Sequence, residues 1–233
     1  MGLFSRRRDD DTSESSNPDD AASEAPAEIG TGPWDVADAP DRPGSVGRID
    51  LGSLRVPAVD GMQIRLENPG GAGQEISAAV LVLAGSTLEL RAFAAPRTIG
   101  IWEELREDIT AELTRAKARF EVEDGEHGPE ILAHVPVRTP DGREGTVAAR
   151  FIGVDGPRWF LRGVLQGPAA TDEAASQVLR DVFADIVVVR DGAARPPREI
   201  LPLHAPGIVS APAAEDLPGL EPLEPGPTIA EVR

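Results

Sequence analysis

The sequence predicts an α+β domain in which two antiparallel β-meanders form a sheet of about seven strands with two packed helices, in the order ββββ-α-βββ-α. Three observations predict this class. Short apolar runs separated by turn residues occur in two groups, each group precedes an apolar stripe at helical spacing, and acidic or proline-rich stretches flank them. We therefore expect one domain over residues 49–203, between a disordered acidic region at 1–48 and a disordered proline-rich tail at 204–233.

The first meander is predicted from four apolar runs separated by turn residues. Turns are indicated by Asp60-Gly61, by the glycine-rich run at residues 68–73 and by Gly85-Ser86. Because hairpin turns join neighbouring antiparallel strands, the four runs should pair in chain order. The predicted strands are residues 54–56, 62–66, 76–83 and 88–94.

A first helix of about five turns is predicted after this meander. Its apolar stripe begins at Trp102 and ends at Phe120. Acidic residues come early in the segment and basic residues late, which complements the helix dipole. Gly125, Gly128 and Pro129 are expected to end the helical region.

A second meander and a second helix complete the predicted domain. The meander strands are residues 131–138, 145–154 and 158–166, with turn residues at 140–142 and 155–156. The helix is predicted to begin at a Thr171 cap and to carry an apolar stripe as far as Ile186. The β-branched run at 186–189 leaves an extended ending open as an alternative.

The strand at 158–166 carries the candidate binding surface. Alternate residues of a strand share a face, so Arg158, Phe160 and Arg162 point to one side, and Trp159 and Leu161 to the other. In one interpretation the arginines flank a shallow apolar groove that takes an acidic peptide or a small carboxylate. In the other, which the sequence favours, Phe160 packs on a neighbouring strand beneath arginine stems that pair with cross-strand carboxylates.

Composition favours a protein-interaction module over an enzyme. The chain has no Cys and no Tyr, and its three His lack the HExxH spacing of a zinc site. We therefore predict no catalytic residue, no cofactor and no metal site. The alternative is a pocket for a small anionic ligand, enzymatic or not, built around Arg158 and Arg162 with Arg97, Arg150 or Arg91.

The net charge of −17 disfavours general nucleic-acid binding, because it repels phosphate backbones. We expect a protein partner instead. No apolar run is long enough to span a bilayer, no secretory signal is recognised, and the lack of Cys fits a reducing compartment, so a cytoplasmic location is expected. Arg6, Arg7 and Arg8 offer a weak peripheral contact with an anionic membrane, which the acidic run after them opposes.

Several motifs together resemble an actinobacterial family known only as a domain of unknown function. They are the leader GPWD at 32–35, IDLGSL at 49–54, AAPR at 94–97, GVDGPRWFLRG at 153–163 and VVVRD at 187–191. The resemblance covers residues 34–203 and implies no catalytic residue, because none is established for that family. The element order is also similar to that of the PsbP-like α-β-α sandwich and of secretion-chaperone-like α+β domains, which chiefly bind other proteins.

Overall fold

The computed structural model describes residues 32–40, 47–68, 75–97, 100–138 and 142–207. Within these residues the predicted α+β class is confirmed, with a seven-stranded antiparallel sheet, a four-stranded sheet and two α-helices. Several predicted features lie largely or wholly outside the described residues. They are both tails, Arg6, Arg7 and Arg8, the glycine-rich loop at 68–73 and the turn at 140–142.

Eleven strands and two α-helices are present in the described part of the chain. The strands are β1 (Trp34–Asp35), β2 (Arg48–Asp50), β3 (Leu54–Pro57), β4 (Gln63–Glu67), β5 (Ala78–Leu83), β6 (Ser86–Ala94), β7 (Arg119–Gly125), β8 (Gly128–Arg138), β9 (Glu144–Gly156), β10 (Trp159–Gln166) and β11 (Val187–Val188). The helices are α1 (Trp102–Arg115), between β6 and β7, and α2 (Glu173–Ala184), between β10 and β11. A short 3-10 turn, Gly167–Ala170, leads from β10 into α2.

The seven-stranded sheet joins two meanders through a central pair of strands. Its order is β4-β5-β6-β10-β9-β8-β7, and every neighbouring pair is antiparallel. β6 and β10 pair from Trp159 opposite Ala94 to Gln166 opposite Thr87, so the two meanders become one sheet. The predicted strand at 54–56 is β3, which belongs to the smaller sheet, and β7 takes its place as the seventh strand.

The prediction of a first helix as far as Phe120 is wrong. Helix α1 ends at Arg115, Lys117 adopts a left-handed backbone with φ 55°, and β7 follows. Phe120 continues the helical stripe in sequence, but it also alternates with solvent-facing charged residues, as a strand residue does. Pairing with β8 along the whole of β7 satisfies the backbone and buries one side of Phe120 against the sheet core.

The smaller sheet was not predicted as a unit. Its order is β1-β11-β3-β2, and β11 is the extended ending that the sequence left open for residues 186–189. β1 pairs with β11 in parallel and brings part of the predicted disordered leader into the fold. The indole Nε1 of Trp159 donates a hydrogen bond of 2.8 Å to Asp35, which ties β1 to the large sheet.

The two helices pack on opposite faces of the large sheet. Leu179 and Phe183 of α2 share one hydrophobic cluster with Trp159 and Leu161. On the other face, Trp102 of α1 clusters with Phe160, so the domain has α-β-α layers. Helix α2 begins one residue later than expected, because the side chain of Asp172, and not that of Thr171, accepts a hydrogen bond from the Ala175 N–H at 2.7 Å.

Trp102 anchors α1 at a point where the sheet lacks a side chain. Its indole ring lies directly over Gly153 of β9 and stacks on Phe160 at a centroid distance of 5.6 Å. Nε1 of Trp102 donates to the Pro129 carbonyl at 2.9 Å, and the Asp155 carboxylate accepts from the Ile101 N–H at 2.7 Å. Helix α1 can approach the sheet this closely only because residue 153 is glycine and has no side chain.

Replacing Gly153 with alanine should lower the free energy of unfolding by about 1–3 kcal/mol, because the new methyl group would overlap the Trp102 ring. Denaturant unfolding measures this loss. Gly145→Ala on the same strand is the matched control, since its methyl group would meet only Val137 Cγ2 at 3.8 Å. Equal stabilities of the two variants would contradict the packing described for α1.

Candidate functional site

The five residues predicted to contact a ligand or partner lie in three separate places. Phe160 and Arg162 face α1 from β10, and Arg150 projects from β9 into a cleft beside α2. Arg97 and Arg158 lie together at a corner of the domain, beyond the end of β6. The structure therefore does not unite the five into one pocket.

Phe160 is fully buried, so it offers no surface to a partner. Its ring lies between those of Trp102 and Phe93, with centroid distances of 5.6 and 5.8 Å. The apolar groove that one interpretation placed here is filled by α1. This corrects the inclusion of Phe160 among the contact residues.

Arg162 is held by a carboxylate of the neighbouring strand. Its Nη2 lies 3.1 Å from Glu89 Oε1, the same oxygen that Arg91 Nε contacts at 2.7 Å. Its guanidinium also lies over the Phe93 ring, 5.8 Å from the centroid. Burial lowers the pKa of Arg162, the Glu89 charge opposes this shift and the Arg91 charge adds to it. Arg162 is thus part of a packed strand with a cross-strand ion pair, as the second interpretation described.

A polar cleft of about 510 Å³ opens between the β7–β8 hairpin and the start of α2. At its base is Glu130, whose side chain is almost completely buried. Both Glu130 oxygens accept hydrogen bonds of 2.7 Å from Arg180, and Oε2 also lies 3.3 Å from Arg150 Nη1. Arg150 additionally contacts Glu123 at 2.7 Å and the Ala170 carbonyl at 3.0 Å. Glu130 is therefore saturated by its two arginines.

The charge of this cleft opposes an anionic ligand at Arg150. Six carboxylates and two guanidinium groups line it, an excess of four negative charges. The carboxylates are those of Glu123, Asp124, Glu126, Glu130, Asp172 and Glu173. Sequence reasoning did not find Glu130 or Arg180. Glu130 is a charged residue directly before the apolar residues of β8, which is a weak signal of a buried ion pair. Its partners could not be predicted, because Arg150 lies on β9 and Arg180 on α2.

His127 lies in the turn between β7 and β8. Its ring packs 5.4 Å from the Phe183 ring, and its buried Nε2 has no hydrogen-bond partner among the described residues. Burial lowers the pKa of His127, the charges of Glu126 and Glu130 oppose this shift, and that of Arg180 adds to it. The neutral imidazole is therefore the form that the fold prefers.

The stability of the domain should fall with His127 protonation. Because the folded pKa lies below the ordinary value of 6.5, the His127 contribution is complete above pH 6.5 and is lost as the pH falls through the folded pKa. Melting temperatures measured from pH 7.5 downward should therefore fall less in His127→Gln than in the wild type. His134→Gln, at an exposed position on β8, should follow the wild type. Identical pH profiles for all three proteins would show that His127 is not the group responsible.

Three arginines from separate segments meet at one corner of the domain: Arg97, Arg158 and Arg190, which we call the arginine corner. The Ala95 N–H donates to the Arg158 carbonyl at 2.9 Å, which holds the β9–β10 turn against the segment that carries Arg97. Arg190 follows β11, close enough to Arg158 and Arg97 for their charges to act on it. None of the three guanidinium groups forms an ion pair with any residue that the structure describes.

The surroundings of Arg190 disfavour its positive charge. Burial lowers the pKa of Arg190, and the charges of Arg158, Arg195 and Arg97 lower it further against the opposing charge of Asp191. Its buried Nε has no hydrogen-bond partner among the described residues. Since a lowered pKa means that the cationic form is disfavoured, the positive charge of Arg190 opposes folding.

Arg195, beside the corner, is in the opposite situation. It contacts Asp191 and Glu199, both at 2.8 Å, and hydrogen bonding to Asp191 raises its pKa. The same bond lowers the pKa of Asp191. These two carboxylates are therefore engaged by Arg195, and the charge of Asp191 also acts on Arg190.

Among the described residues, no group of three or more potential His, Asp or Glu ligands is arranged to hold a metal ion. In that same part of the chain, no helix is long and apolar enough to cross a membrane.

The fold and these sites define the class of protein: an α+β domain in which a seven-stranded sheet lies between two helices and carries charged surface sites. The chain belongs to the family described as Protein of unknown function (DUF3710), whose profile matches residues 32–211. The resemblance to a family of unknown function is thus confirmed.

The chain was also compared with solved structures. The chain is similar to the solution structure of cyanobacterial PsbP (CyanoP) from Synechocystis sp. PCC 6803, with 13% sequence identity and a TM-score of 0.34. The similarity covers 64% of this chain and 98% of that one. No curated protein matches the chain.

Proposed function

We propose that the chain is a non-enzymatic protein- and peptide-interaction module of the cytoplasm, and that the arginine corner is its contact surface. The proposal rests on three neighbouring arginines that form no ion pair with any described residue, in a chain whose net charge is −17. Uncompensated like charges cost free energy in the isolated domain, and an oppositely charged partner recovers it.

The state of the polar cleft supports binding over catalysis. A general acid or base needs an oxygen or nitrogen that can reach a substrate proton. Both oxygens of Glu130, the central carboxylate, are occupied by Arg180, and Arg150 is held by three acceptors. The cleft is therefore better explained as an ion-pair network that joins α2 to the sheet.

The test is affinity purification with the tagged full-length chain as bait, either as the wild type or with the three corner arginines replaced. The corner variant carries Arg97→Gln, Arg158→Gln and Arg190→Gln. The matched control carries Arg65→Gln, Lys117→Gln and Arg119→Gln, which removes three exposed cations elsewhere that form no ion pair with the described residues.

We expect one or more specific proteins to be recovered with the wild type and the control and to be lost with the corner variant. Recovery of no specific protein, or equal recovery with all three baits, would contradict the proposed function. Circular dichroism of each bait establishes that a loss of binding is not a loss of fold.

A further inference from the structure

We infer that the arginine corner recognises an extended acidic peptide segment of a partner protein, through carboxylates that pair with Arg97, Arg158 and Arg190. This inference rests on the proposed function and specifies the chemistry of the partner. Three properties of the corner support it: the absence of carboxylate partners among the described residues, the origin of the arginines in three segments, and the turn at Arg158.

The corner arginines differ from their neighbours in having no carboxylate partner among the described residues. Other arginines of this region have carboxylate partners, as Arg198 has in Glu104 and Asp108 at 2.7 and 3.0 Å. At the corner, the nearby carboxylates of Asp191 and Glu199 are both held by Arg195. Guanidinium groups bind carboxylates through paired hydrogen bonds, so a ligand that brings its own carboxylates matches these vacant donors.

The three side chains come from the loop after β6, from the β9–β10 turn and from the segment after β11. Arg97 is exposed, and Arg158 and Arg190 are half-buried. A ligand that engages all three has to present several carboxylates along a surface, which a run of acidic side chains on an extended peptide does.

The hairpin turn between β9 and β10 is made by Pro157 and Arg158, and Arg158 has a φ of 80°. Glycine or asparagine is favoured at that turn position, because a larger side chain is strained in the left-handed region. Arg158 therefore occupies the tip of a tight two-residue turn, and its carbonyl accepts from the Ala95 N–H beside the segment that carries Arg97.

The chain's own acidic leader is the competing occupant. The experiment separates this occupant from a partner segment by neutralising five leader aspartates, Asp9, Asp10, Asp11, Asp19 and Asp20.

The experiment is a fluorescence anisotropy titration of the full-length chain into a labelled peptide of alternating aspartate and glycine. The same peptide with asparagine in place of aspartate is the ligand control. The protein arms are the wild type, the corner variant and the matched control variant. A further variant, with Asp9, Asp10, Asp11, Asp19 and Asp20 changed to asparagine, tests the leader.

We expect the aspartate peptide to bind the wild type and the matched control, and to bind the corner variant at least about tenfold more weakly. Affinity should also fall as salt is raised. Arg97→Gln alone, at an exposed position, should weaken binding even if the triple variant does not fold.

Three results would overturn the inference: no binding to the wild type, equal binding to the corner variant, or binding only after the leader is neutralised. The last would assign the corner to the chain's own leader. If the peptide fails to bind while affinity purification still recovers a corner-dependent protein, the proposed function stands and only the acidic chemistry of the partner is wrong.

Discussion

Replacing Glu130 with alanine is expected to lower the free energy of unfolding by about 3–5 kcal/mol, because it leaves two guanidinium groups without their shared carboxylate. Glu130 is 1% exposed and bridges Arg150 on β9 to Arg180 on α2. Desolvating a carboxylate is costly, and the two arginines offset that cost only while all three groups are present. In the variant, Arg150 and Arg180 are still largely removed from water, but the Glu130 carboxylate that compensates for their desolvation is gone.

Denaturant unfolding of Glu130→Ala beside Glu126→Ala measures this effect. Glu126 is an exposed carboxylate on the same hairpin, and its removal should change the stability by no more than about 0.5 kcal/mol. If the two variants lose similar stability, the ion-pair network does not join α2 to the sheet as described.

Replacing Phe160 with alanine is expected to cost about 3–5 kcal/mol, the usual loss for a large aromatic side chain in a core. The ring is fully buried and contacts the rings of Trp102 and Phe93. Its loss opens a cavity between the sheet and α1, so helix content measured by circular dichroism should begin to fall before the rest of the domain unfolds.

Val122→Ala is the control for this variant, because Val122 is 52% exposed on β7 and should contribute little. Phe160→Ala should also leave affinity for the acidic peptide unchanged at temperatures where the variant is folded. A stable Phe160→Ala protein that had lost partner binding would support the apolar groove that we reject.

Local sequence patterns were sufficient for the strands of the second meander. The predictions at 131–138, 145–154 and 158–166 agree with β8, β9 and β10 to within a few residues at each end. Alternation of apolar residues and strong turn residues both act over a few neighbouring positions, so they can be recognised without knowing the tertiary contacts. The face shared by Phe160 and Arg162 follows from the same alternation.

Features that depend on distant partners were not predictable in this way. Phe120 fits a helical stripe and a strand equally well, and pairing with β8 decides between them. β1 and β11 have two residues each, too few to show a period, and they form only because they pair with each other and with β3. Long-range pairing overrides local propensity in both cases.

The candidate site was likewise predicted only in part. Arg97 and Arg158 were identified from sequence as candidate contacts, but Arg190, which completes the corner, was not. It lies more than thirty residues from Arg158 along the chain and reaches the corner only because β11 joins the small sheet. Arg150 and Arg162 have the same side chain as the corner arginines but are neutralised by Glu130 and Glu89.

The melting temperature of Arg190→Met, measured at low and at high salt, tests most directly whether the arginine corner is uncompensated in the isolated domain. Methionine keeps the apolar stem and removes the charge and the unpaired Nε–H. We predict a melting temperature above that of the wild type at low salt and a smaller gain at high salt, while Arg65→Met on β4 changes little. A lower melting temperature for Arg190→Met at both salt concentrations would mean that Arg190 is already satisfied within the chain, and would contradict the account.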